Sequence, residues 1–246
     1  ALEAQNGQPD FQIPFVVKPA AGERHRTALI ANINTWNAYN NWGKTQKAPY
    51  GSKYSGERYT TFLRPNPFAS LQLGVSPTAL GFSQTHLAHA EAWALAAIES
   101  IGNVGRGNVD VYSDLDLHNG VEIQAGTGPG LYDRLILTTH PEYWSTQMYD
   151  NLKSFLDQGG SLLYLGGNGL FESTSFITAP LGGDALHFPG ARGPDPEIEM
   201  AYRVPYLFRV MDHVNGVPPR AERKLLGIAF HDQPGDVAYV VKPHPT

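Results

Sequence analysis

One stretch of about 35 residues restricts the fold more than any other part of the sequence. Residues 135–139 are a continuous apolar run of the length of a buried strand, and residues 161–165 are another. Between them, Ser145 can cap a helix that Gly159-Gly160 would end. The apolar positions of this helix share one face: Met148, Leu152, Phe155 and Leu156. The order strand, helix, strand predicts a βαβ unit with parallel pairing.

The same alternation of strands and helices extends through much of the chain. Residues 28–33 and 109–112 are predicted strands, and residues 86–101 carry apolar side chains at helical spacing: Leu87, Ala90, Ala94, Ala97 and Ile101. These elements predict an α/β fold, with a mostly parallel sheet flanked by helices. Residues 174–220 are rich in Pro, Gly and charges and are interpreted as an excursion, after which strands return at 225–230 and 237–241. We interpret residues 1–246 as a single α/β domain, with a core at about 12–175 and an elaborated C-terminal third at about 176–246.

Composition removes several functional classes. The chain contains no cysteine, which excludes thiolate nucleophiles and leaves oxygen and nitrogen ligands for any metal. The chain has 18 Lys and Arg against 23 Asp and Glu. Its net charge of −5 therefore does not indicate a basic surface for nucleic acid or an anionic membrane. No apolar run reaches the ~20 residues that span a bilayer, and the sequence begins without a signal-peptide pattern, so we expect a cytoplasmic protein.

Polar and aromatic side chains cluster where the predicted strands end. Ligands of open parallel sheets bind outside the carboxyl ends of the strands, because loops and helix N-termini converge there. Four segments follow predicted strands: residues 34–59, 113–118, 140–144 and 166–169. The first is aromatic-rich, lacks periodicity and is longer than ordinary connections, so we predict a functional loop there.

His140 and Glu142 are the sharpest candidates for chemistry. A histidine and a carboxylate two residues apart at a strand end can face one pocket, as metal ligand, acid–base group or water-orienting group. The alternative is a surface turn in which Glu142 favours the dipole of the following helix. The adjacent aromatic side chains of Tyr143 and Trp144 favour an enclosed site that is partly shielded from water.

Two further turns have both a functional and a structural interpretation. Gly166-Gly167-Asn168 could present an amide donor to a developing oxyanion, or it could be a tight turn. The alternating polar residues at 114–118 resemble a divalent-ion loop. However, the calcium-loop pattern needs an acidic residue at its twelfth position, where this chain has Ala125. We therefore interpret that segment as a helix-capping turn.

Tyr39 lies within the aromatic segment after the first predicted strand. A phenol keeps its proton until about pH 10, and it becomes a strong anionic ligand only beside a hard, highly charged cation such as ferric iron. The alternative is a stacked aromatic loop that binds no metal.

Four motifs in this order carry a family resemblance: TWNAYNNWG at 35–43, SDLDLH at 113–118, HPEYWS at 140–145, and the stretch 159–168 that begins GGS and ends GGN. They resemble the large (beta) subunit of N,N-dimethylformamidase and its relatives, over roughly residues 12–175. The resemblance implies a class I glutamine amidotransferase-like fold. It also implies a mononuclear iron held by two tyrosinates and one glutamate, with a histidine and an asparagine assisting hydrolysis of a small amide.

Carried over residue by residue, the resemblance assigns Glu142 as the carboxylate ligand and Tyr39 as the first tyrosinate. It assigns His140 and Asn168 as the assisting residues. The second tyrosinate is expected after Arg64-Pro65, where this chain has Asn66; Tyr54 and Tyr59 lie close enough to substitute, and Tyr54 enters the predicted ligand set. Pro141 and Lys44 also depart from the family pattern.

The leading hypothesis is therefore metal-assisted hydrolysis of a carbon–nitrogen bond in a small, formamide-like amide. Ferric iron would polarise the carbonyl or a water, His140 would move a proton, and Asn168 would help hold the oxyanion. The resemblance also suggests a small accessory subunit, and a homo-oligomer is the other arrangement considered.

Two alternative hypotheses assign the chain to other functional classes. In the first, the chain is a binding domain without catalysis, whose Trp36, Tyr39 and Trp42 stack on a sugar or another flat ligand. In the second, it is a metal-free hydrolase, which is disfavoured because there is neither a cysteine nucleophile nor a Gly-x-Ser-x-Gly motif.

Overall fold

The computed structural model describes residues 14–20, 22–40, 59–62, 86, 88–101, 108–126, 128, 131–178, 198–207 and 222–226. The strands of these residues are β1 (Thr27–Ala31), β2 (Tyr59–Thr61), β3 (Val109–Ser113), β4 (Arg134–Thr139), β5 (Tyr143–Ser145), β6 (Ser161–Gly166), β7 (Glu172–Thr178) and β8 (Ile198–Leu207). The helices are α1 (Ile33–Tyr39), α2 (Ala88–Ser100), α3 (Asp114–Asn119), α4 (Thr146–Asp157) and α5 (Glu222–Leu226). No helix of the described residues has the length and apolar character to cross a membrane.

A four-stranded parallel sheet in the order β3-β1-β4-β6 forms the body of the protein. β1 is buried at every position, because it has a strand on each side and apolar clusters on both faces. The sequence of such a strand is a continuous apolar run rather than an alternation of apolar and polar residues. The predicted α/β class, with a mostly parallel sheet and flanking helices, is confirmed.

The predicted βαβ unit is also confirmed. β4 and β6 pair in parallel, with Leu135 opposite Leu162. α4 begins after Ser145, whose Oγ accepts a hydrogen bond from the N–H of Met148 at 3.1 Å. It ends in a Schellman motif at Gly159, whose φ of 92° belongs to the left-handed region that glycine adopts without cost.

The core lies on both faces of this sheet. One face packs against α3 and α4 and the other against α2. The prediction that β6 is buried is wrong: among the described strands it lies at the edge of the sheet, and Leu163 and Leu165 are 45% and 52% exposed. An apolar run gives the length of a strand but not its place in the sheet.

A second sheet has the order β2-β8-β7-β5, with β5 parallel to β7 and the other pairs antiparallel. Within residues 174–220, which the sequence analysis interprets as an excursion, the described residues form most of β7 and all of β8. Their pairing is long-range, and β8 contains Pro205, which argues locally against a strand. The predicted strand at 225–230 is wrong at its start, where α5 lies; residues 227–230 and 237–241 are outside the described residues.

α1 forms where the sequence predicts an irregular loop. The N–H of Asn32 donates to both oxygens of Glu91 at 3.0 and 3.1 Å, and the N–H of Asn34 donates to Asp114 Oδ2 at 2.8 Å. These carboxylates satisfy donors at the helix N-terminus, which has no intrahelical partners for them. Because they come from α2 and α3, the capping cannot be read from the local sequence.

α2 is confirmed as a helix, but its predicted apolar face is wrong at its C-terminal end, and Leu87 lies outside the described residues. Its buried residues are Ala88, His89, Glu91 and Ile98, whereas Ala97 and Ile101 are exposed. Alanines contribute little apolar area, and Glu91 finds backbone donors at the start of α1.

Candidate metal and active site

The candidate site lies beyond the carboxyl ends of β1 and β4, which are neighbours in the parallel sheet. Along the chain, the strand of this sheet that follows β1 is β3, which lies on the side of β1 away from β4. The strand that follows β4 is β6, which lies on the side of β4 away from β1. Connections that diverge in this way leave a crevice at the strand ends, where open α/β sheets bind ligands. Tyr39 comes to this position from α1, and His140 and Glu142 directly follow β4.

Glu142 lies at the centre of the site and is 1% exposed. The Tyr39 hydroxyl is 3.1 Å from its Oε2 and 3.4 Å from its Oε1. Asn168 Nδ2 donates to Oε1 at 2.7 Å. The structure therefore brings together Tyr39, His140, Glu142 and Asn168 of the predicted set. Tyr54 and Asn66 lie outside the described residues, as does the side chain of Tyr59.

Tyr39, His86 and His140 form a stack of three rings against this carboxylate. The centroids of Tyr39 and His86 are 4.0 Å apart, and those of His86 and His140 are 3.8 Å apart. His86 Nε2 and His140 Nδ1 lie 3.6 and 3.7 Å from Glu142 Oε1. Each ring thus presents one nitrogen or oxygen atom to the same carboxylate.

Both imidazoles are neutral near pH 7. Burial, and secondly repulsion from His140, lowers the pKa of His86 to about 3. Burial also lowers the pKa of His140, and its Nδ1 has no hydrogen-bond partner among the described residues. A neutral imidazole keeps a lone pair, which can accept a proton or bind a metal.

The turn that carries His140 and Glu142 is held in a strained conformation. Thr139 has a φ of 53°, which is rare for a β-branched residue. Its Oγ1 donates to Glu91 Oε1 at 3.2 Å, while Thr35 Oγ1 donates to the carbonyl of His140 at 2.6 Å. Strain of this kind persists where surrounding contacts fix the backbone, and it concentrates at functional sites.

The end of β6 completes the site. A Cβ on Gly166 would lie 2.8 Å from the carbonyl oxygen of Thr139 and 3.1 Å from Pro141 Cδ, so glycine is required for this approach. Asn168, two residues on, has a φ of 55°, which asparagine tolerates better than most residues. Gly166-Gly167-Asn168 is therefore a tight turn that also directs an amide to Glu142; the predicted oxyanion role stays a prediction.

Residues 113–118 support the site without entering it. The N–H and Oγ of Ser113 donate to Asp116 Oδ2 at 2.9 and 2.7 Å, so the helix-capping interpretation is confirmed. Burial raises the pKa of Asp114 well above its usual range, and burial raises the pKa of Glu91 to about 8. These two carboxyl groups hold the N-terminus of the helix that presents Tyr39.

The donor atoms around Glu142 fit a metal ion. One ring nitrogen each from His86 and His140 and one oxygen of Glu142 all lie within 4.8 Å of one another. These nitrogen and oxygen donors suit iron or zinc, and they agree with the ligand types left to a chain without cysteine. The group of His86, His140 and Glu142 could therefore bind a metal.

His86 is the site residue that sequence reasoning misses. The sequence gives it no role beyond the first position of a predicted helix, and it belongs to none of the four motifs. A histidine just ahead of a helix is too common a feature to indicate a ligand. Its place beside Glu142 results from the stacking of its ring between Tyr39 of α1 and His140.

Comparison with known sequences gives one informative result. No curated protein matches the chain. The family described as N,N-dimethylformamidase beta subunit-like, C-terminal, has a sequence model that matches residues 1–246. Because this match extends over the whole sequence, the chain belongs to the N,N-dimethylformamidase beta subunit-like family and represents its C-terminal part.

Proposed function

We propose that the protein is an amidohydrolase that cleaves the carbon–nitrogen bond of a small, formamide-like amide with the help of a bound metal ion. The observation that carries the proposal is the Glu142 carboxylate, buried and surrounded by the Tyr39 hydroxyl, two neutral imidazoles and the Asn168 amide. The family name, N,N-dimethylformamidase beta subunit-like, supports the reaction class.

The proposed cofactor is mononuclear ferric iron, with Tyr39, Glu142 and Tyr54 as ligands. Bound ferric iron supplies Lewis acidity, which polarises an amide carbonyl and lowers the pKa of a water. Burial of Glu142 excludes competing water from its carboxylate, and Asn168 fixes that carboxylate through the 2.7 Å hydrogen bond. Tyrosinate and carboxylate are hard oxygen ligands, which favours ferric iron as the bound ion.

His140 is proposed to move the proton. As the oxygen of water attacks the carbonyl carbon, the neutral imidazole accepts the proton of that water and then donates it to the departing amine nitrogen. His140 is suited to this task because its side chain is 25% exposed, more than that of Glu142 or His86. The second N–H of the Asn168 amide is proposed to stabilise the oxyanion.

We also propose the finer architecture that the resemblance implies: a single domain of the class I glutamine amidotransferase type, working with a small accessory subunit or as a homo-oligomer. The family name, which refers to a beta subunit, supports the presence of a partner subunit. A binding-only function is less well supported, since one face of Tyr39 is covered by His86.

The test is release of formate from N,N-dimethylformamide and formamide by protein purified from iron-replete cells, together with its metal content. Glu142→Ala should lose both metal and turnover, whereas His140→Gln should keep the metal and lose turnover. His25→Gln is the matched control, because His25 contacts Asp110 in β3, away from the site. Amide turnover that survives Glu142→Ala would refute the proposal.

A further inference from the structure

We propose that His86 is a direct ligand of the metal, so that the site contains a nitrogen donor in addition to the oxygens of Tyr39 and Glu142. A site of tyrosinates and glutamate, as implied by the family resemblance, has no such donor. This inference rests on the proposed function only in assuming that a metal binds at Glu142.

The separations between donor atoms agree with a shared metal. Two ligands at about 2.1 Å from one ion are about 3.0 Å apart at a right angle and about 3.4 Å apart at a tetrahedral angle. The Tyr39 hydroxyl is 3.1 Å from Glu142 Oε2, and His86 Nε2 is 3.6 Å from Glu142 Oε1. Small side-chain rotations would bring the three donors around one ion.

The ring stack fixes His86 in the orientation that coordination needs. Its ring is inclined by 16° to that of Tyr39 and by 27° to that of His140, so it lies between two rings. The side chain of His86 is 9% exposed. A ring confined in this way has little freedom to turn Nε2 away from Glu142, and less side-chain entropy is lost when a metal binds.

His140 is the competing candidate, since its Nδ1 is at nearly the same distance, 3.7 Å, from the same oxygen. Two observations favour His86. Its side chain is more deeply buried than that of His140, at 9% against 25%, and it stacks directly on Tyr39, the other proposed ligand. The more exposed ring is better placed to exchange protons with a substrate.

The experiment is pulsed electron paramagnetic resonance on the full chain loaded with ferric iron alone. The wild type should show the ¹⁴N coupling of a directly bound imidazole. His86→Phe, which keeps an aromatic ring in the stack but lacks the nitrogen, should lose this coupling and weaken iron binding at least about tenfold, since even outer-shell partners contribute that much. His140→Phe, the matched control in the same stack, should retain the coupling.

A second substitution, His86→Gln, covers the case in which the phenylalanine variant does not fold, as judged by circular dichroism. It should also lose the imidazole coupling. A coupling that survives both His86 variants, or one that disappears in His140→Phe and persists in a His86 variant, overturns the assignment. A wild type that binds no iron, or shows no coupling, overturns it as well.

Turnover of N,N-dimethylformamide by the same wild-type preparation separates this inference from the proposed function. Turnover without an imidazole coupling would leave the amidohydrolase proposal standing and reject His86 as a ligand. A coupling that depends on His86, without turnover of any small amide, would confirm the ligand and reject the reaction.

Discussion

The most quantitative prediction from this structure concerns Glu91, because the protonation of its buried carboxyl group makes the stability of the folded protein depend on pH. Glu91 lies on α2 and accepts hydrogen bonds from the N–H of Asn32 and the hydroxyl of Thr139. Burial raises its pKa from 4.5 to about 8 and outweighs these hydrogen bonds, which lower it. The folded protein therefore holds a proton on Glu91 at neutral pH that the unfolded chain releases.

The direction and size of the change in stability follow from the two pKa values of Glu91, 4.5 in the unfolded chain and about 8 in the folded protein. A carboxyl group with a raised pKa in the folded state contributes stability that is complete below pH 4.5 and is lost as the pH rises towards 8. One such proton changes the free energy of unfolding by about 1.4 kcal/mol for each pH unit. Between pH 5 and pH 8 we therefore expect Glu91 to reduce the stability by about 4 kcal/mol.

Glu91→Gln tests this value, since glutamine resembles the protonated carboxyl group and does not titrate. Urea unfolding of the wild type and the variant at several pH values gives the free energy of unfolding of each. Their difference cancels the titrating groups that do not interact with Glu91, and it retains the coupled contribution of Asp114, whose pKa Glu91 helps to raise. The variant should gain about 4 kcal/mol on the wild type between pH 5 and pH 8.

Glu99→Gln is the matched control, because Glu99 lies on the same helix and is only partly buried. This variant measures how much a glutamate-to-glutamine change on α2 alters the free energy of unfolding by itself. If the Glu91→Gln and wild-type curves run parallel from pH 5 to pH 8, the reasoning about desolvation at the start of α1 is refuted.

Three further substitutions test the site and its support. Tyr39→Phe should weaken and shift the visible ferric–tyrosinate absorption of iron-loaded protein, because it deletes one of the two proposed phenolate ligands and keeps the ring. Gly166→Ala should lower the free energy of unfolding by about 1–3 kcal/mol and weaken iron binding, since its Cβ would lie 2.8 Å from the carbonyl oxygen of Thr139. Ser145→Ala should cost about 1 kcal/mol in urea unfolding, through loss of the N-cap bond to Met148.

Each of these substitutions has a matched control. Tyr112→Phe removes a hydroxyl bonded to Tyr132, distant from Glu142, and should leave the absorption unchanged. Gly128→Ala introduces a Cβ with no neighbour nearer than 3.5 Å and should be tolerated. Ser154→Ala lies within α4 rather than at its cap. An absorption band with unchanged position and intensity in Tyr39→Phe, or equal stabilities within the other pairs, would contradict the predictions.

Local patterns in the sequence were sufficient for the parallel sheet and for two segments of the site. The apolar run before His140 and the Gly-Gly pair before Ser161 fix where β4 ends and β6 begins. The geometry of parallel strands then places His140, Glu142 and Asn168 at one edge of the sheet. These side chains follow strand ends directly, so their proximity needs no knowledge of distant packing.

Other features depended on contacts that no local pattern contains. α1 is capped by carboxylates from α2 and α3, so the segment 33–39 looks irregular when read alone. His86 reaches Glu142 only because its ring fits between Tyr39 and His140. β7 and β8 pair across a long separation, and the exposed position of β6 follows from its place at the sheet edge.

The sequence by itself determined the chemistry open to this protein: oxygen and nitrogen donors in place of thiolates, and a histidine, a carboxylate and an amide at consecutive strand ends. Only the tertiary structure decided how those groups are used. It buried Glu142 beneath three rings, supplied His86 as a neighbour, and raised the pKa of Glu91 by burial. The physical reason is that residue type and local periodicity are properties of the chain, whereas desolvation and donor geometry exist only where distant segments meet.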